Sequence, residues 1–428
     1  MTEYEKLENQ VLEGKISVLD YICRQRQEDG ERDTRGFSPH TAEASYWRFV
    51  QKSQEEGKKL VAFSGGVPVE LIYASGCVPL CLDLIPIALS KSVKLTSKFI
   101  YDTDVHINSA LCSHSKSMLG AALFEKGGIS PDAFVYTPIA CPSGSTAAGA
   151  YRTHSELPVF YFDPPPECTE RSMKLCSHQV SSFADFLEGI SGQKLDLDLL
   201  RQAMENVNEA KRLLEKCSLM RKKTPCPMSS HIQENSKLMP ALAPKGLMKE
   251  LLIKELETLE ALVKKGESPC PTGEKHRIFM LQMPLWCADD LTLWLEDKYG
   301  AVTVMDGLGY EMGVLYENMQ TLEDCFLELS RSIFYPPSLH GSASSSRRLI
   351  GLSTDVVRDY GVDVCIFLGS VGCRHTWALS KMLTDIIRDD FDVPTLFADV
   401  DSVDTQYKDI NQIKTQVSEF MDSVVLGK

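Results

Sequence analysis

Residues 58–83 read KKLVAFSGGVPVELIYASGCVPLCLD, and this stretch decides the fold class. The apolar run ending at Gly65 and Gly66 reads as a strand. PVELIYASG reads as a short helix stopped by Gly76, and VPLCLD as a second strand. Strand, helix and strand follow one another with no room for anything else.

The pattern continues outward. DVHINSALCSHSKSMLGAALFEKGG (104–128) is expected to be helical, DAFVYTPIA (132–140) a strand, STAAGAYRTHSE (145–156) a helix, and LPVFYFDPP (157–165) a strand closed by prolines. This succession over about 59–166 implies a parallel sheet with helices on both faces. Residues 195–216 carry Leu200, Met204, Val207 and Leu214 at helical spacing, which predicts a long amphipathic helix. A Pro/Ser/Lys-rich link (220–231) and a second helical run (248–266) follow. From residue 275 strands and helices alternate again, with strands at 276–283, 301–307, 362–370 and 393–401 and a terminal helix from Ile410. The expected architecture is α/β, with two doubly wound, Rossmann/flavodoxin-like parallel-sheet domains. The expected limits are a helical N-terminal segment 1–58, a first α/β domain 59–170, a helical segment 171–274 and a second α/β domain 275–428.

The chain has 428 residues, 43% of them apolar, and a formal charge of −14. That acidity argues against nucleic acid as a partner, because phosphate binding needs a basic face. The first residues, MTEYEKLENQ, are too polar for a signal peptide, and the apolar region CVPLCLDLIPIALS is broken by Asp83 and prolines. A cytoplasmic protein away from membranes is expected. It has 14 cysteines but no CxxC pair, so the ordinary zinc-ribbon and ferredoxin spacings are excluded.

In open parallel sheets, ligands bind outside the carboxyl ends of the strands. Cys141 in VYTPIACPSGST and Cys373 in CIFLGSVGCRHTW both lie at such ends, and Cys112 lies near a helix start, where a thiolate is favoured. Cys365 is expected to point into the core. Cys77, Cys81 and Cys287 also lie near strand ends, and position alone does not separate them. Cys112-Ser-His114, Cys373-Arg-His375 and Cys141 together offer the types of a Cys3His zinc site, which would make the protein a zinc-stabilised binding module.

LVAFSGGVPVELIYASGCVPL, with its Pro-x-Glu and Ala-x-Gly, and the ordered contexts of Cys112, Cys141 and Cys373 resemble the 2-hydroxyacyl-CoA dehydratase D-component family, which includes subunits of ATP-dependent benzoyl-CoA reductase. The likeness runs from about 59 to 425, with the three cysteines 29 and 232 residues apart. It implies that they bind one [4Fe–4S] cluster with an open iron. It also implies a lyase removing water from an (R)-2-hydroxyacyl-CoA through a ketyl radical, or a related benzoyl-CoA-type reductase. Implied partners are an ATP-dependent activator, since no GxxxxGK[ST] loop is present, and a related second subunit or a second copy. Ser64 is the candidate hydroxyl near the iron and Glu70 the candidate acid/base. Departures are Pro142-Ser143, where the family often has Asp-Gly, and Val371-Gly372 before and Arg374 after the third cysteine. Lys116, Arg152 and Arg374, and the glycines of DGLGYEMG (306–313), are candidate contacts to CoA phosphates.

Overall fold

The computed structural model describes residues 3–124, 127–138, 141–165, 167–230, 232–281, 285–287, 290–307, 313–335 and 346–427. Helices α1 (Glu3–Leu12), α2 (Val18–Arg32) and α3 (Pro39–Glu55) open the chain. The first sheet and its helices follow: β1 (Leu60–Ser64), α4 (Val69–Ala74), β2 (Val78–Cys81), α5 (Leu84–Leu89), α6 (Val93–Asp102), α7 (Ser113–Leu123), β3 (Ala133–Tyr136), α8 (Pro142–Thr153) and β4 (Val159–Tyr161). Then come α9 (Glu170–Ser191), α10 (Leu197–Met220), α11 (Ile232–Leu242) and α12 (Lys249–Lys265). The second sheet comprises β5 (His276–Leu281), α13 (Asp290–Tyr299), β6 (Ala301–Asp306), α14 (Leu322–Phe334), α15 (Ser346–Asp359), β7 (Val364–Ser370), α16 (Arg374–Phe391), β8 (Thr395–Val400) and α17 (Ile410–Phe420).

Both sheets are parallel and share one spatial order, β2-β1-β3-β4 and β6-β5-β7-β8. Every residue of β1 and β7 is buried, which is why these strands read as unbroken apolar runs. In each sheet the chain leaves its first strand in one direction and later returns on the other side. The crevices therefore open between β1 and β3 and between β5 and β7, at the carboxyl ends.

Among the elements that differ from the sequence reading, two bear on the site and its surroundings. The helix expected over 104–128 begins only at Ser113, because the Asn108 side chain accepts the Ala110 amide at 2.8 Å, a local turn that competes with helix. The polar stretch before residue 348 contains α14, started by a reciprocal cap between Thr321 and Asp324. Long α10 buries Leu200, Met204, Val207 and Leu214 as its spacing predicts. Just past its end Arg221 meets Glu255 of α12 at 2.8 Å, both side chains fully buried. No described helix is long and apolar enough to cross a membrane.

Candidate functional site

Cys112, Cys141 and Cys373 occupy the same local position: each is the residue immediately before a helix, α7, α8 and α16 respectively. Sequence dictates this for Cys141, where Pro142 takes the first helical position, which needs no amide hydrogen. None of the three helices carries an acidic residue in its first turn. Their positive ends are thus left unneutralised by their own side chains.

The three caps share one neighbourhood. Burial pushes the Cys112 thiol up to about 12, with Cys141, Cys373 and Asp401 adding to the effect and the His114 amide opposing it. Burial likewise raises Cys141, helped by Cys373 and opposed by the amides of Gly144 and Ser143. Gly372 lies against Cys112 so closely that a Cβ there would stand 2.5 Å from the Cys112 Cα. Cys365, by contrast, is buried near the start of β7.

Nearness is not ligation. Among the described residues no three Cys, His, Asp or Glu side chains are grouped so as to hold a metal ion. This overturns the expectation of a [4Fe–4S] cluster on Cys112, Cys141 and Cys373, and with it the iron–sulfur assignment. The physical reason is geometric: each thiol is set by the start of its own helix, and these three starts do not bring the side chains into one ligand group. The Cys3His zinc arrangement falls with it. Its His114 sits among Asp83 and Asp401, and the side chain of His375 lies outside the described residues.

Ser64 ends β1 and is 3% exposed. Its Oγ donates to Asp83 Oδ1 at 3.0 Å, and the Gly65 amide donates to Asp83 Oδ2 at 2.8 Å. A Cβ on Gly144 would lie 3.4 Å from Ser64 Oγ, so the hydroxyl borders the first turn of α8 beside Cys141. Sequence reasoning missed Asp83 as a clamp and Asp401 altogether. Asp401, just past β8, accepts a hydrogen bond from Ser113 of α7 and from the amides of Val403 and Asp404 at 3.0 and 2.9 Å. Cys287 donates to the Asp401 carbonyl at 3.7 Å. A carboxylate at the carboxyl end of a parallel strand was the signal that could have found Asp401.

Glu70 is placed with other partners. Tyr316 Oη donates to its Oε1 at 2.6 Å, and burial raises the pKa of both groups. Lys211 of α10 lies nearby, pulled down to about 8 by burial. Asn208 fixes the Tyr316 backbone through two hydrogen bonds of 2.8 Å. Of the other candidates, Lys116 pairs with Asp104 at 2.5 Å, Arg152 and Arg374 are exposed, and residues 308–312 of the glycine cluster lie outside the described residues.

Residues 65–424 match the protein family described as 2-hydroxyglutaryl-CoA dehydratase, D-component. The chain is 24% identical over 285 residues to the alpha subunit of (R)-2-hydroxyglutaryl-CoA dehydratase from Acidaminococcus fermentans. That likeness covers 64% of the chain and 56% of the relative, little more than half of the relative's length.

Proposed function

Because the chain belongs to the 2-hydroxyglutaryl-CoA dehydratase D-component family, a family of lyases, we propose that it is a subunit of an enzyme that removes water from an (R)-2-hydroxyacyl-CoA. The difficulty of this reaction is electronic. The hydroxyl leaves C2, next to the thioester carbonyl, and the hydrogen leaves C3, which the thioester does not acidify. One electron added to the carbonyl makes a ketyl, from which hydroxide departs at C2. Loss of the C3 proton and return of the electron then give the 2-enoyl thioester, so the reaction is redox-neutral overall.

The observation that carries the reading is the meeting of three helix N-termini at the carboxyl ends of the two sheets, each capped by a cysteine. Positive helix ends favour negative charge developing on a thioester oxygen. In this reading the thiols of Cys112, Cys141 and Cys373 and the Ser64 hydroxyl face that oxygen or the departing hydroxide, and Glu70 exchanges a proton. A separate ATP-hydrolysing activator supplies the electron, and a related subunit or a second copy completes the assembly.

The test is an anaerobic assay for 2-enoyl-CoA from aliphatic (R)-2-hydroxyacyl-CoA thioesters, with activator, partner subunit, ATP and a strong reductant. Product is expected only with the full mixture. Equal product without activator and ATP would overturn the electron-driven reading, and no product from any thioester would overturn the activity.

A further inference from the structure

The turn after β1 continues from Ser64 into a cavity of about 100 Å³, whose walls include Gly66, Glu70, Lys211, Met239, Tyr316 and Ile333. Lys211 is 4% exposed. Its ammonium donates to the Val314 carbonyl at 2.7 Å and lies 4.6 Å from the centre of the Tyr316 ring. An ammonium has three donors, and among the described residues this is the one hydrogen bond it makes. Nor does it form an ion pair among the described residues, where the nearby Glu70 carboxyl accepts from Tyr316. Buried charges in proteins are normally paired. Here a buried cation with a single hydrogen bond to the described residues borders a mostly aliphatic cavity.

We propose that this cavity is a binding site for a short aliphatic carboxylate, with its charged oxygens on the Lys211 ammonium and its carbon chain against Met239 and Ile333. The volume admits about three waters, hence an acid of a few carbons and not a whole thioester. Burial raises the pKa of Glu70 and Tyr316 occupies its Oε1, so Lys211 is the cation that the ligand meets. The same chemistry has two sources: a free acid, or the distal carboxylate of a dicarboxylic acyl thioester. The second source rests on the proposed dehydratase reading; the first does not.

The experiment is calorimetric titration of the intact chain at neutral pH with butyrate and glutarate. Wild type is expected to bind. Lys211→Met is expected to lose roughly tenfold or more in affinity, the scale of one charge-assisted hydrogen bond, while Lys211→Arg retains binding. Ile333→Trp, which fills the cavity and keeps the lysine, is expected to lose binding as well. No binding by wild type, or equal binding by wild type and Lys211→Met, would overturn the proposal. Competition separates the sources. If glutaryl-CoA displaces glutarate and CoA alone does not, the cavity holds the acyl end; simultaneous occupancy assigns it to a free acid. No turnover is measured, so the result stands apart from that of the dehydration assay.

Discussion

Gly372, in the turn after β7, packs directly on the backbone of Cys112 at the start of α7, leaving no room for a methyl group. The backbone of Cys112 has no flexible end with which to yield. Gly372→Ala is therefore expected to cost ~1–3 kcal/mol, the range of overpacking in a tight site, and to reduce turnover by separating the helix starts. Gly149→Ala in α8 is the control, since a Cβ there meets nothing within 4 Å. It should be neutral or gain about 0.5–1 kcal/mol in helix stability. Urea unfolding of both variants checks the pair.

The stability of Lys211 should follow pH with a definite sign. Its pKa in the folded chain is about 8, below the usual 10.5. Between those values the unfolded chain binds more protons, so this group adds stability as pH rises from about 8 to 10.5. Below pH 8 both states are protonated, and the burial cost is present in full. Lys211→Met should then be more stable than wild type at pH 7, by an amount on the order of 3 kcal/mol that shrinks towards pH 10.5. Comparing wild type with the variant at each pH cancels the opposing effect of the buried cysteines. A difference that stays flat across the range would contradict the assignment.

Arg221 and Glu255 tie the end of α10 to α12 without contact with solvent. Removing one partner strands the other charge. Glu255→Ala should cost about 3–5 kcal/mol, while the double change Arg221→Met/Glu255→Leu should recover much of that loss. Chemical denaturation of Arg221→Met, Glu255→Leu and the double variant reads the coupling directly.

Asp83 holds the Ser64 hydroxyl and the Gly65 amide with separate oxygens. An asparagine there offers only one acceptor oxygen and must turn its amide towards one of the two donors. Asp83→Asn should therefore cost ~1–3 kcal/mol, the scale of one hydrogen bond left unmade in a buried site. It should also lower kcat at least as much as Ser64→Ala does, because the β1 turn shifts with the hydroxyl. Steady-state kinetics alongside thermal melts separate the two effects.

The alternation of strands and helices was legible because strands covered on both faces must be apolar throughout, as in Val61–Phe63 and Val364–Leu368. The places of Cys141 and Cys373 followed from the same logic, since a strand end followed by Pro or Gly is where a crevice opens. The expected metal site did not follow. Its residue types and their order were visible, but the distances among three thiols depend on how three helix ends are rotated, which no local pattern encodes. Tyr316 was hidden in an irregular segment between elements. Lys211 left a trace that was passed over: it stands between Val207 and Leu214 on the buried face of α10, where the helical spacing calls for an apolar residue.

The wide separation of the three thiol-bearing turns also has a temporal side. At about 5–20 residues per second, ribosomal synthesis leaves an interval on the order of ten to fifty seconds between the emergence of Cys141 and that of Cys373. The first sheet can form early in that interval, with α7 and α8 in place but nothing from β7 laid over Cys112. Thiols that the finished chain partly covers are then more open to any oxidant in the cell. The more vulnerable form of this protein is thus the unfinished chain, and docking of the Gly372 turn on Cys112 reduces the exposure.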